Sequence, residues 1–94
     1  MGTFIIFALK KKLAMANQIK GKISQIIGPV IDVIFADAAE LPKIYDALEI
    51  TKTDGNKVIL EVEQHIGEDY VRCIAMYATD GLQRGQEVVS HGRQ

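Results

Sequence analysis

Apolar and polar residues alternate with a two-residue period over several short stretches, and turn-forming residues separate these stretches. Such a period places successive side chains on opposite faces of a half-buried strand. Ile19 to Ile27 is isoleucine-rich, with Lys20, Lys22 and Ser24 at alternate positions, and Gly28-Pro29 ends it. Proline fixes φ and cannot donate to a ladder, so a second strand is expected only from Val30. Val30 to Phe35 is dense in β-branched residues, which crowd at χ1 in a helix and suit a pleated surface. Ala36 to Lys43 is expected to be a loop, with one possible helical turn over Ala38–Leu41 that Pro42 would stop.

Ile44 to Thr51 alternates again, with Ile44, Leu48 and Ile50 as the expected inner side and Asp46 breaking that side near a strand end. Thr53-Asp54-Gly55-Asn56 is the strongest turn signal, because Asp-Gly supplies the positive φ that tight hairpins need. Lys57 to Gln64 turns Val58, Leu60 and Val62 one way and Ile59, Glu61 and Glu63 the other. Gly67-Glu68-Asp69 turns the chain into Tyr70–Met76, where Arg72, Ile74 and Met76 share one face and Val71, Cys73 and Ala75 the other. Turns at Thr79-Asp80-Gly81 and Gly85 precede a sixth strand, Gln86–Ser90. No window carries a helical stripe over three turns. The expectation is an all-β domain, a small barrel or a sandwich, and closure would remove the unpaired edges of an open sheet.

Charge divides the chain in two. Residues 1–22 hold five lysines and no acid, whereas residues 23–94 hold six basic and twelve acidic side chains, or −6. The apolar run Phe4–Leu9 is far shorter than the roughly 20 residues a spanning helix needs. Lys10-Lys11-Lys12 follow that run, whereas a signal peptide places its charge first. Residues 1–18 are therefore expected to be a flexible N-terminal extension, or an artefact of start-site choice with translation beginning at Met15. A short interfacial anchor is the other reading of this segment. Residues 19–90 are the expected barrel and 91–94 a polar tail.

Catalytic chemistry is sparse. No G-x-x-x-x-G-K-[ST] or G-x-G-x-x-G pattern occurs, since Gly21-Lys22 runs on into Ile23. Glu61, Glu63 and His65 could share a strand face and hold a divalent ion, but outward charges are the default on half-solvated strands. A carboxylate pair for glycoside chemistry lacks any sign of a cleft. Cys73 is the lone cysteine, so it forms no internal disulfide, and a buried structural thiol is the expected role. Arg72 is either an interface or ion-pair residue or a charge at the wet end of a strand. Tyr45, Tyr70 and Tyr77 are expected to be partly buried with a wet hydroxyl, or else interface aromatics. A nucleic-acid groove would need basic residues among stacking aromatics, and the body offers net acid and four aromatics. A small binding module, for nucleic acid or protein, is the alternative function; a small hydrolase has no support.

Four blocks carry a resemblance. Gly21-Lys22-Ile23-Ser24-Gln25-Ile26-Ile27-Gly28-Pro29-Val30-Ile31-Asp32-Val33 resembles the opening strands of the β subunit of F-type ATP synthase. Leu41-Pro42-Lys43-Ile44-Tyr45-Asp46-Ala47-Leu48 resembles its loop into the third strand, and Leu60–Gly67 its fourth strand. Val71–Met76 with Thr79–Gly85 resembles the segment that closes the barrel. The blocks stand in family order, and Tyr45-Asp46-Ala47-Leu48 is closer to the catalytic β subunit than to its α relative. The leader before Met15 and the bulky Tyr77 depart from the family pattern.

The resemblance implies a closed six-stranded, Greek-key-like barrel that packs beside α-subunit barrels in the crown of an α3β3 hexamer. It implies a peripheral complex on the cytoplasmic face of a bacterial inner membrane, without a membrane span or nucleic-acid partner in this chain. It further implies a parent that makes ATP from ADP and phosphate on a proton gradient. ATP, ADP and Mg2+ would belong to a nucleotide domain beyond Gln94. No catalytic, cofactor or metal residue is therefore expected here, and the chain alone is expected to be inactive. The interface candidates are Arg72, Tyr45 and Asp46.

Overall fold

The computed structural model describes residues 18–36, 38 and 40–92. The leader, both as a flexible extension and as a start-site artefact, and the last two tail residues lie outside them. Six strands follow in chain order: β1 Ile19–Ile27, β2 Val30–Ile34, β3 Ala47–Thr51, β4 Lys57–His65, β5 Tyr70–Ala75 and β6 Glu87–Ser90. Each pairs antiparallel with two neighbours, and the order β1-β2-β5-β4-β3-β6 closes on itself. Of the two architectures open from periodicity, the chain takes the barrel. β3, β4 and β5 are successive neighbours and β2 returns beside β5, which is Greek-key connectivity.

Alternation decides what fills the cylinder. β2 turns Ile31 and Val33 inward, β3 Leu48 and Ile50, β4 Val58, Leu60 and Val62, and β5 Val71 and Cys73; all are buried. Burying a side chain of this size stabilises the fold by about 1.5–3 kcal/mol, so this lining is the main source of stability. β1 approaches the core through Gly21. A Cβ there would stand 2.7 Å from the Ile34 carbonyl oxygen and 2.7 Å from the Phe35 ring, which is itself fully buried.

Two bulges break the alternation. In β1 the register slips between Ile23 and Gln25. Simple alternation would carry Ile19 and Ile23 on to an inward Ile27; the bulge instead packs Ile26 against the core and leaves Ile27 58% exposed. In β4 the slip falls between Val62 and Gln64, leaving Glu63 without a partner. The expected common face of Glu61, Glu63 and His65 is thereby split. His65 comes opposite the inward Val71, and its Nε2 donates to the Pro42 carbonyl at 2.6 Å.

Two expectations are corrected before β3. Ile44 is exposed rather than inward, because strand pairing begins only at Ala47. The described residues of Ala38–Leu41 carry no helical turn; Ala38 N–H donates to the Phe35 carbonyl in a bend instead.

Candidate interface on the outer wall

Lys43, Ile44, Tyr45 and Asp46 form a tight turn, with Asp46 N–H donating to the Lys43 carbonyl at 3.0 Å. Tyr45, third in that turn, has φ +73°. A non-glycine side chain in this region is strained by roughly 1–3 kcal/mol and persists only where its surroundings over-determine it. Three bonds do so. Tyr45 N–H donates to the Val62 carbonyl at 2.7 Å, Val62 N–H donates to the Asp46 carbonyl at 3.0 Å, and Asp46 Oδ2 accepts from Lys43 N–H at 2.9 Å. Asp46 is thus buried and spent on holding the turn, while Tyr45 is 59% exposed. The structure separates the roles of these two neighbours: Asp46 fixes the loop that presents Tyr45.

The outer wall beside Tyr45 carries several apolar side chains. Following cross-strand partners from β1 to β3 gives Ile27, Val30, Ile74, Glu61 and Ala47 in one row. In the adjoining row Met76 N–H donates to the Ile59 carbonyl at 2.9 Å. Tyr45, Ala47, Ile59, Leu60, Glu61 and Met76 line a groove of about 280 Å³. Met76 and Tyr77, just past β5, are 55% and 69% exposed. Apolar side chains gathered on one face are the usual mark of an interaction surface. Tyr45 and Tyr77 stand out from the wall rather than lying partly buried, because one rides a turn and the other lies two residues past the end of β5.

On the next row Arg72 sits across the ladder from Asp32. Its Nε and Nη2 donate to the two carboxylate oxygens at 3.0 and 3.1 Å. The Asp32 side chain is nearly buried, while that of Arg72 keeps 44% of its surface. The carboxylate raises the Arg72 pKa further above its ordinary value. Of the two roles open from sequence, the structure gives Arg72 the ion pair, and the exposed part of the guanidinium still faces outward beside Ile74.

Elsewhere the titratable groups are less concentrated. Glu63 has a raised pKa, chiefly because its carboxyl shares a hydrogen bond with Glu61. Burial pushes the Cys73 thiol up to about 12, far from a nucleophile's range. Among the described residues no group of three or more His, Cys, Asp or Glu side chains comes together as a metal site. No helix there is long and apolar enough to cross a membrane.

The sequence singled out Tyr45 and Arg72 on this wall, weighed Glu61 only as a metal ligand, and gave no role to Ile27 or Ile59. Alternation put Met76 on one face with Arg72 and Ile74, whereas the orientation of Ile27 depends on the β1 bulge. A family profile described as ATP synthase alpha/beta family, beta-barrel domain, matches residues 23–92. That span runs from the middle of β1 through β6 and includes every residue of the groove. The chain belongs to the ATP synthase alpha/beta family, and residues 23–92 are its beta-barrel domain.

Proposed function

We propose that this chain is the barrel of the catalytic β subunit of an F-type ATP synthase, and that it holds neighbouring barrels in the crown of an α3β3 hexamer. The observation that carries this reading is the apolar outer wall formed by Ile27, Ile59, Ile74 and Met76, with Tyr45 held beside it at φ +73°. A closed barrel has no free edge for strand addition, so its neighbours must meet side chains. The Tyr45-Asp46-Ala47-Leu48 block favours the β over the α subunit. Nucleotide, Mg2+ and the chemistry of ATP formation then belong to a further domain of the parent. The complex would sit peripherally at the cytoplasmic face of a bacterial inner membrane.

Mixing the full chain with an ATP synthase α subunit tests this. Co-elution in size exclusion is the expected result, with no heat on titrating Mg-ATP into the chain alone. Independent elution of the two proteins, or a 1:1 micromolar nucleotide complex with the isolated chain, would contradict it.

A further inference from the structure

The end of β3 and the Gly81–Gln86 connection into β6 enclose a cavity that shares no residue with the Tyr45–Met76 groove. Its volume is about 410 Å³, and Thr51, Thr53, Gly81, Arg84, Gly85 and Gln86 line it. Small-ligand sites have volumes of this order. The walls are cross-braced. Buried Leu82 anchors the connection in the core. Gly85 N–H donates to the Ile23 carbonyl at 2.7 Å, and Ile23 N–H donates to the Gln86 carbonyl at 2.9 Å. The Gln86 side chain ties the connection to β3: its Oε1 accepts from Gln83 N–H and its Nε2 donates to the Thr51 carbonyl, both at 3.1 Å. A Cβ on Gly81 or Gly85 would meet nothing within 4 Å, so the mouth stays open.

The charge inside is one-sided. Arg84 is the single ionisable side chain among the lining residues. Asp54, Asp80 and Glu87 adjoin these residues in sequence but do not line the cavity, and Asp54 keeps both carboxylate oxygens on Asn56. The β1 bulge holds Arg84 in place. Ser24 is the residue that the slip leaves out of the β1–β2 pairing, and its carbonyl accepts from Arg84 Nε at 3.1 Å. Bulges recur beside functional sites, where they re-aim a side chain. That bond occupies Nε; among the described residues Arg84 is in no ion pair, although residues 23–94 carry −6. A guanidinium fork matches the oxygens of a phosphate, and threonine hydroxyls can donate to the oxygens it leaves. No aromatic side chain lines the cavity, so a nucleotide base finds nothing to stack on.

We propose that this cavity binds the phosphate group of a small ligand without a base, anchored by Arg84 and met by the Thr51 and Thr53 hydroxyls. Free phosphate and a small phosphate ester share that chemistry. The site is independent of the crown reading.

An NMR titration of the full chain tests it, with inorganic phosphate and glycerol 3-phosphate as probes and sodium chloride at matched ionic strength as the control. The amide signals of Gly81, Gly85 and Gln86 and the Arg84 Nε–H signal shift saturably with phosphate, with a midpoint on the order of 1 mM. A lower midpoint for glycerol 3-phosphate identifies an ester as the source, and a lower one for inorganic phosphate identifies the free ion. Arg84→Gln removes saturation, and Arg84→Lys, which keeps the charge without the fork, raises the midpoint about tenfold. Melting curves check that each variant folds. Thr51→Val keeps a β-branched shape at an exposed strand position and raises the midpoint severalfold, which gives the reading if R84Q does not fold. Shifts that chloride reproduces, saturation that persists in R84Q, an unchanged midpoint in T51V, or acetate binding as tightly as phosphate would overturn the proposal. Any of these leaves the crown reading standing, because the cavity lies apart from the outer wall.

Discussion

Arg72 faces Asp32 across the β2–β5 ladder and grips both of its carboxylate oxygens, at 3.0 and 3.1 Å. The two residues are forty positions apart in the chain, so the pair ties strands whose pairing carries a large loop-closure cost. Charge-assisted bidentate contacts are the stronger kind of hydrogen bond, and stranding the nearly buried partner is costly.

Arg72→Ala should therefore destabilise the barrel by about 1–3 kcal/mol, below the cost of breaking a fully buried pair because water reaches the guanidinium. The double variant with Asp32→Ala should recover part of that loss. Urea unfolding of the four members of the cycle measures the coupling; additive effects would show the pair to be inert.

Gly21 is the place where β1 meets the core most closely. Gly21→Ala puts a methyl against the Ile34 carbonyl and the fully buried Phe35 ring, so a loss of about 1–3 kcal/mol is expected from overpacking. Gly28→Asn, at φ +55° with open space around it, should cost much less, since asparagine tolerates that region. Equal costs at the two sites would refute the close-contact account.

The strands were legible in sequence for a simple reason: alternation and turn chemistry are local properties. Leu48, Ile50, Val58 and Leu60 are inward as their period requires. What escaped depends on long-range pairing. The bulges that turn Ile27 outward and part His65 from Glu61 arise from register between strands, and nothing in either segment marks the extra residue. Asp46 was visible as a break in a strand face, but its role of fixing the Tyr45 turn needs the Lys43 and Val62 backbone, which only the fold brings together.

Glu63 titrates above the ordinary glutamate value of 4.5 because Glu61 shares its hydrogen bond. The folded chain then holds this proton more tightly than the unfolded chain. The resulting penalty is absent below about pH 4.5, grows as pH rises through the folded pKa, and is complete above it. Glu63→Gln should accordingly raise the melting temperature at pH 7, with the difference from the parent vanishing in acid. A difference that grows toward low pH would show the sign to be wrong.

Cys73 is buried, and its pKa of about 12 leaves almost no thiolate at pH 8. Labelling by a thiol reagent should proceed only through opening of the barrel, and urea should accelerate it in step with unfolding. Rapid labelling of the native chain would place the thiol at the surface.

Tyr45 offers a test that separates contact from stability. Glycine accepts φ +73° without strain but carries more entropy when unfolded. Tyr45→Gly should leave the melting temperature of the chain within a few degrees of the parent, because these terms oppose each other, and yet weaken binding to an α subunit about tenfold or more. A variant that binds as well as the parent would remove Tyr45 from the interface.

Methyl NMR of the full chain titrated with an ATP synthase α subunit reads the outer wall directly. The Met76 and Ile59 methyl signals should shift or broaden, while those of Ile31 and Ile50 inside the barrel stay in place. Unchanged signals from Met76 and Ile59 beside a bound α subunit would mean that the barrel meets its neighbour through another surface.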